Sequence, residues 1–215
     1  LYEDKDVSNA GGTVTINVAD GDIALILATD QNEVNEGSSI NVSGSPKVRT
    51  GVLGTAARGL NDENGKNYQF PTVNLQSCQA TIPFVQAAAQ VNVKDNSDVT
   101  LHEAELDKGL LVEKESKLTT DDNQIHIWGN VEVNGVWEQK HTQDDDDNDI
   151  YVQGTTTVGE GGCFINHGTS NLKGDVTNNG TMVLMNSAFM QGNYMGEHAE
   201  LRIPVVATNY DGTDA

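Results

Sequence analysis

From Gly162 to Glu197 the apolar and polar positions repeat in units of six, each opened by a glycine or an asparagine. Written out, the units are GCFINH, GTSNLK, GDVTNN, GTMVLM, NSAFMQ and GNYMGE. Their third residues are Phe164, Ser170, Val176, Met182, Ala188 and Tyr194; their fifth are Asn166, Leu172, Asn178, Leu184, Met190 and Gly196. Side chains alternate across an extended segment, so the third and fifth residues of a unit project to the same side. Each unit therefore predicts a turn and then a short strand with two side chains facing one way. Six residues are too few for a strand and its antiparallel return. A chain that turns the same way at every unit is a β-solenoid.

Three such units complete an 18-residue coil, which predicts which residues stack. Phe164 should lie on Met182, Leu172 on Met190, Ile165 on Val183, and Val158 on Val176 on Tyr194. Asn166 and Asn178 fall at inward positions, where an unpaired amide costs about 1–3 kcal/mol, so each needs a backbone or amide partner. The same rhythm appears upstream, with Gly129 and Gly135 opening units whose third residues are Val131 and Trp137. Val152 and Val158 are again six apart. Val131 and Val152 are 21 residues apart, three more than a coil. The excess falls in KHTQDDDDND, residues 140–149, which predicts an outer excursion between two strands.

Residues 70–120 hold short alternating or apolar runs separated by Asn, Asp, Ser and Gly, which predict strands and turns. Residues 101–118 could form a helix, but Gly109 and the preceding Val-Thr-Leu run favour strands. Near the N-terminus, GTVTINVADGDIALILAT predicts two strands joined at an ADGD turn, either the start of the solenoid or a small cap upon it. The expected division is an N-terminal β extension or cap over 1–60, a solenoid over 61–198 with its excursion near 139–149, and a C-terminal strand and tail over 199–215. The hexads lack an aliphatic residue before the glycine, since Gly161, His167, Lys173, Asn179, Met185 and Gln191 stand there. That disfavours a left-handed hexapeptide helix, and the expected fold is an all-β, right-handed parallel β-helix.

Charge narrows the partners. Twelve Lys and Arg against 32 Asp and Glu leave a formal net charge of −20. Nucleic acid and anionic membrane both require cations, so neither is an expected partner. No run approaches the roughly 20 apolar residues of a membrane-spanning helix. A chain starting at Leu1, without a positive n-region, reads as a trimmed, exported product. Cys78 and Cys163 leave two readings open, a bridge across a long loop or two free thiols.

Three features carry candidate chemistry. Asp144, Asp145, Asp146, Asp147 and Asp149 are the hard oxygen ligands that Ca²⁺ takes, making Ca²⁺ the one candidate cofactor. Their spacing is not that of an EF-hand loop, and a like-charge run more often forms a solvated loop. In QIHIWGN, Ile125 and Ile127 share one side, leaving His126 and Trp128 on the other as a platform for a sugar ring. Ile165, Val183 and Phe189 occupy the fourth, outward position of their units and predict an apolar stripe for self-association. Catalytic signatures are sparse: there is no H-E-x-x-H, C-x-x-C or G-x-S-x-G.

The phrasing INHGT…VTNNGTMVL resembles the parallel β-helix passengers of bacterial surface proteins, the autotransporter-like and adhesin-like kind. The resemblance covers mainly residues 90–195 and implies an exported, rod-like structural or adhesive protein. The expectation is thus a secreted or cell-surface, non-enzymatic protein whose partner is itself, as a layer, fibre or stalk subunit. The alternative is a glycan-binding or glycan-cleaving β-helix.

Overall fold

The computed structural model describes residues 13–24, 39–50, 52–54, 72–121, 125–140, 150–186, 188–197 and 199–203. Among them every regular element is a strand and the strands pair in parallel, the pattern of a β-solenoid. The first strands include four long ones, β1 (Thr13–Ala24), β2 (Ser39–Thr50), β4 (Thr72–Lys94) and β5 (Asp98–Val112), with the short β3 (Val52–Gly54) and β6 (Lys117–Thr120) among them. Later coils are divided at glycine-containing corners. These give β7 (Ile125–Ile127), β8 (Asn130–Val133) and β9 (Val136–Gln139), then β10 (Ile150–Val152), β11 (Thr156–Val158) and β12 (Cys163–Asn166). Two more coils follow as β13 (Ser170–Leu172), β14 (Val176–Asn178) and β15 (Thr181–Leu184), and β16 (Ala188–Met190), β17 (Tyr194–Met195) and β18 (Glu200–Arg202).

Every third strand stacks. β7, β10, β13 and β16 form face A; β8, β11, β14 and β17 form face B; β9, β12, β15 and β18 form face C. β5 bends past all three, pairing with β6 on face C, with β7 on face A and with β8 on face B. Residues 101–118 thus belong to strands, because each of their apolar side chains must meet one on the neighbouring coil. β1 and β2 extend the stack in parallel above β4. The ADGD stretch is not a turn between two strands: β1 runs through it with a register shift between Val18 and Gly21 and continues along β2. On the outside of these coils an amide ladder runs along the axis, Asn92 donating to Asn74 at 2.9 Å and Asn74 to Asn41 at 2.8 Å.

The predicted stacks hold where the coil is 18 residues long. Phe164 lies on Met182, Leu172 on Met190, Ile165 on Val183, Asn166 on Leu184 and Val176 on Tyr194. Val158, however, lies on Asn178 rather than on Val176. The corner Gly159–Gly162 after β11 is two residues longer than the Asn179–Gly180 corner after β14, and that lengthens the coil. Val131 lies on Thr156, 25 residues on, so this coil exceeds 18 by seven rather than three. The excess does fall between β9 and β10, as the sequence implied.

The interior is lined by the third and fifth positions of the units. Phe164, Val176, Met182, Leu172 and Leu184 are all buried. Trp137 stacks on Phe164 with ring centroids 4.6 Å apart, and its indole N–H donates to Thr120 Oγ1 at 3.0 Å. The two inward asparagines solve their burial at the corners. Each side-chain oxygen accepts the backbone N–H two residues on, Gly168 for Asn166 at 3.0 Å and Gly180 for Asn178 at 3.1 Å. The Asn178 amide also donates to the Tyr194 hydroxyl and the Glu200 carbonyl. Asn166 Nδ2 has no partner, a cost of about 1–3 kcal/mol that the apolar stack around it offsets.

The six-residue glycine spacing has a cause beyond turning. A Cβ on Gly174 would stand 2.3 Å from the Gly154 carbonyl oxygen of the coil below, and one on Gly180 would meet the Gly162 oxygen at the same distance. Corners stack backbone on backbone, and no side chain fits between them. Gly161 differs: it has open space but a φ of +78°. We expect Gly161→Ala to cost about 1–2 kcal/mol, the left-handed penalty alone. Gly174→Ala should cost more, because two coils must separate; denaturant midpoints of the two variants would reverse this order if corner stacking were unimportant. Phe164→Ala should destabilise by about 3–5 kcal/mol in the same assay.

Candidate functional site

Face A gathers three outward aromatic rings, the exposed Trp128 and Phe189 and the half-buried Tyr151. Strand alternation turns Ile125, Ile127, Ile150 and Val152 inward and leaves His126 and Tyr151 outward. Parallel pairing then builds one outer column in which Glu105, His126, Tyr151, Asn171 and Phe189 succeed one another on consecutive coils. A second column runs beside it at the strand ends. There Trp128, Gln153, Lys173 and Gln191 donate their backbone N–H groups to equivalent strand-end carbonyls one coil back.

Tyr151 is the hub. Its ring centroid lies 5.9 Å from His126 in an edge-on arrangement and 5.6 Å from Trp128. Lys173 Nζ stands 5.9 Å from the same ring, within range of a cation–π attraction. Trp128 is 38% exposed and Phe189 57% exposed. The sequence singled out His126 and Trp128 but not Tyr151 or Lys173. Their outward positions were legible from alternation. Their place beside His126 was not, because it depends on the true length of the coil containing the excursion.

Face C carries the other outward apolar residues. Ile165 stacks on Val183, both half-buried, with Glu138 on one side of the pair and Arg202 on the other. Phe189 does not join them; it lies on face A. Consecutive units belong to consecutive faces, and only units three apart share one. Glu138 faces two cations, Lys117 Nζ at 3.8 Å and Lys140 Nζ at 3.9 Å, and the His167 imidazole Nε2 at 3.4 Å. These pairs are partly solvated, so each contributes at most about 1 kcal/mol.

Asp144, Asp145, Asp146, Asp147 and Asp149 lie outside the described residues. Among the described residues no group of three or more His, Cys, Asp or Glu side chains is placed to hold a metal. No helix there is long and apolar enough to cross a membrane.

The last described coil leaves interior positions open. Tyr194 and Leu201 stack on the buried Val176 and Met182, yet are 39% and 36% exposed. Ile203 and Met195 are exposed there as well. Among the described residues, nothing pairs with the far edges of β16, β17 and β18.

Both cysteines are free, Cys78 buried and Cys163 half-buried. Burial pushes the Cys78 thiol from 9.0 up to about 11. Comparison with known proteins returned nothing: no family model, no curated protein and no solved structure matches this chain.

The Cys78 shift predicts an alkaline weakness. The folded state holds the neutral thiol more firmly than the unfolded chain does, so this contribution is whole below pH 9 and is lost as pH rises toward 11. Urea midpoints should fall across that window. Cys78→Ala should flatten this part of the fall; an unchanged slope would place the alkaline sensitivity elsewhere.

Proposed function

We propose that this chain is a non-enzymatic structural or adhesive module of the cell exterior, a rod-like subunit that assembles with copies of itself. The carrying observation is the last coil. Tyr194 and Leu201 occupy core columns and are nonetheless exposed, beside strand edges that no other described residue pairs. An open parallel edge with apolar columns favours another parallel edge, and a head-to-tail contact that does not close produces a filament. The outer Ile165–Val183 pair supplies a lateral contact of the same character. Turn phrasing like that of β-helix surface proteins supports an exported location, and the strong negative charge suits a soluble, self-repelling surface whose assembly responds to cations.

Negative-stain electron microscopy of the purified chain, with and without Ca²⁺, tests the proposal. Filaments or ordered arrays are the expected result, and Leu201→Asp should disperse them by burying a charge at the joint. If they form only with Ca²⁺, the Asp144–Asp149 run is the place to substitute next. Dispersed single particles under both conditions would defeat the assembly reading.

A further inference from the structure

Face A combines groups that a purely apolar contact would not need. Along its outer column a ring, an amide and a second ring follow one another as Tyr151, Asn171 and Phe189. Parallel strands lie about 4.7–4.9 Å apart, so these groups are evenly spaced along the axis. Asn171 stands between the two rings with its Oδ1 buried and unpaired, so the amides open to a ligand are those of the neighbouring column. In the neighbouring column Trp128 adds a third ring, itself exposed, while Gln153 and Gln191 add exposed amides. Rings that cover the apolar face of a pyranose, interleaved with amides that bond its hydroxyls, are what an elongated sugar chain requires.

We propose that face A is a binding site for a neutral glycan lying along the solenoid axis, with Tyr151 and Trp128 as stacking platforms and the exposed amides of Gln153 and Gln191 as hydrogen-bonding groups beside them. Neutrality follows from charge. The chain carries −20 overall, and Glu105 extends the ring column at one end, so uronic or sulfated chains are repelled. Lys173 is held over Tyr151 and braces the ring. The site rests on the adhesive part of the reading above; a chain that assembles but binds no sugar would fail here alone.

Tryptophan emission reads the site directly. Trp137 is wholly buried against Phe164, so a ligand-dependent change reports Trp128. The full chain would be titrated with tetrasaccharides of β-linked glucose, of N-acetylglucosamine and of mannose, and with an oligogalacturonate as the acidic probe. A saturable change with at least one neutral probe is expected, and none with the acidic one. Tyr151→Ala should weaken binding by at least about tenfold, or 1.4 kcal/mol, with far-ultraviolet circular dichroism unchanged, while Tyr151→Phe retains it. Should Tyr151→Ala fail to fold, Gln153→Ala provides the same test at an exposed position. The proposal is overturned if no neutral probe moves the emission, if only the acidic probe binds, or if a folded Tyr151→Ala or Gln153→Ala variant binds like the parent chain.

Discussion

Backbone hydrogen bonding between successive coils is the constraint on which the rest of this molecule depends. Each coil donates to and accepts from the one below in parallel, as when Thr181 donates to Gly162 and Lys173 to Val152. Strands about 4.8 Å apart leave no room for a displaced corner, so corners must stack as closely as strands do. A Cβ at Gly174 or Gly180 would enter the carbonyl of the corner beneath. The glycine rhythm is therefore a record of coil stacking more than of turn conformation: among the described residues the positive-φ glycines are Gly44, Gly109 and Gly161, and none of them opens a six-residue unit.

The same constraint explains how the interior tolerates polar groups. Corner asparagines sit where the chain leaves one strand for the next and where backbone N–H groups point inward. Asn166 and Asn178 take those N–H groups as donors, replacing ladder bonds that a corner cannot make. Serines serve the earlier coils in an equivalent way: buried Ser97 accepts from the Cys78 N–H and donates to the Leu75 carbonyl. Apolar stacking through Trp137 and Phe164 then fills the space between corners.

Parallel register also turns single outward residues into surfaces. A tyrosine in the middle of a short strand means little alone. Stacked beside His126 and Trp128, and two coils from Phe189, it becomes part of a lengthwise face with interleaved amides. The last described coil is the complementary case, where columns buried elsewhere reach solvent. Assembly and ligand binding thus draw on different parts of one geometry, the end and the side of the stack.

The sequence by itself determined the kind of fold, the inward and outward sense of each short strand, and the stacks within 18-residue coils. Alternation and a fixed repeat are local properties, and local physics sets them. It did not determine coil lengths where corners vary, and so misplaced Val158 and the partner of Val131. Nor did it separate Phe189 from Ile165 and Val183, or bring Tyr151 to His126. Those outcomes depend on how many residues a corner or an excursion absorbs before the chain rejoins the ladder. Only the tertiary structure decided that, because the register of each coil is chosen by hydrogen bonds and side-chain columns on the coil beneath it.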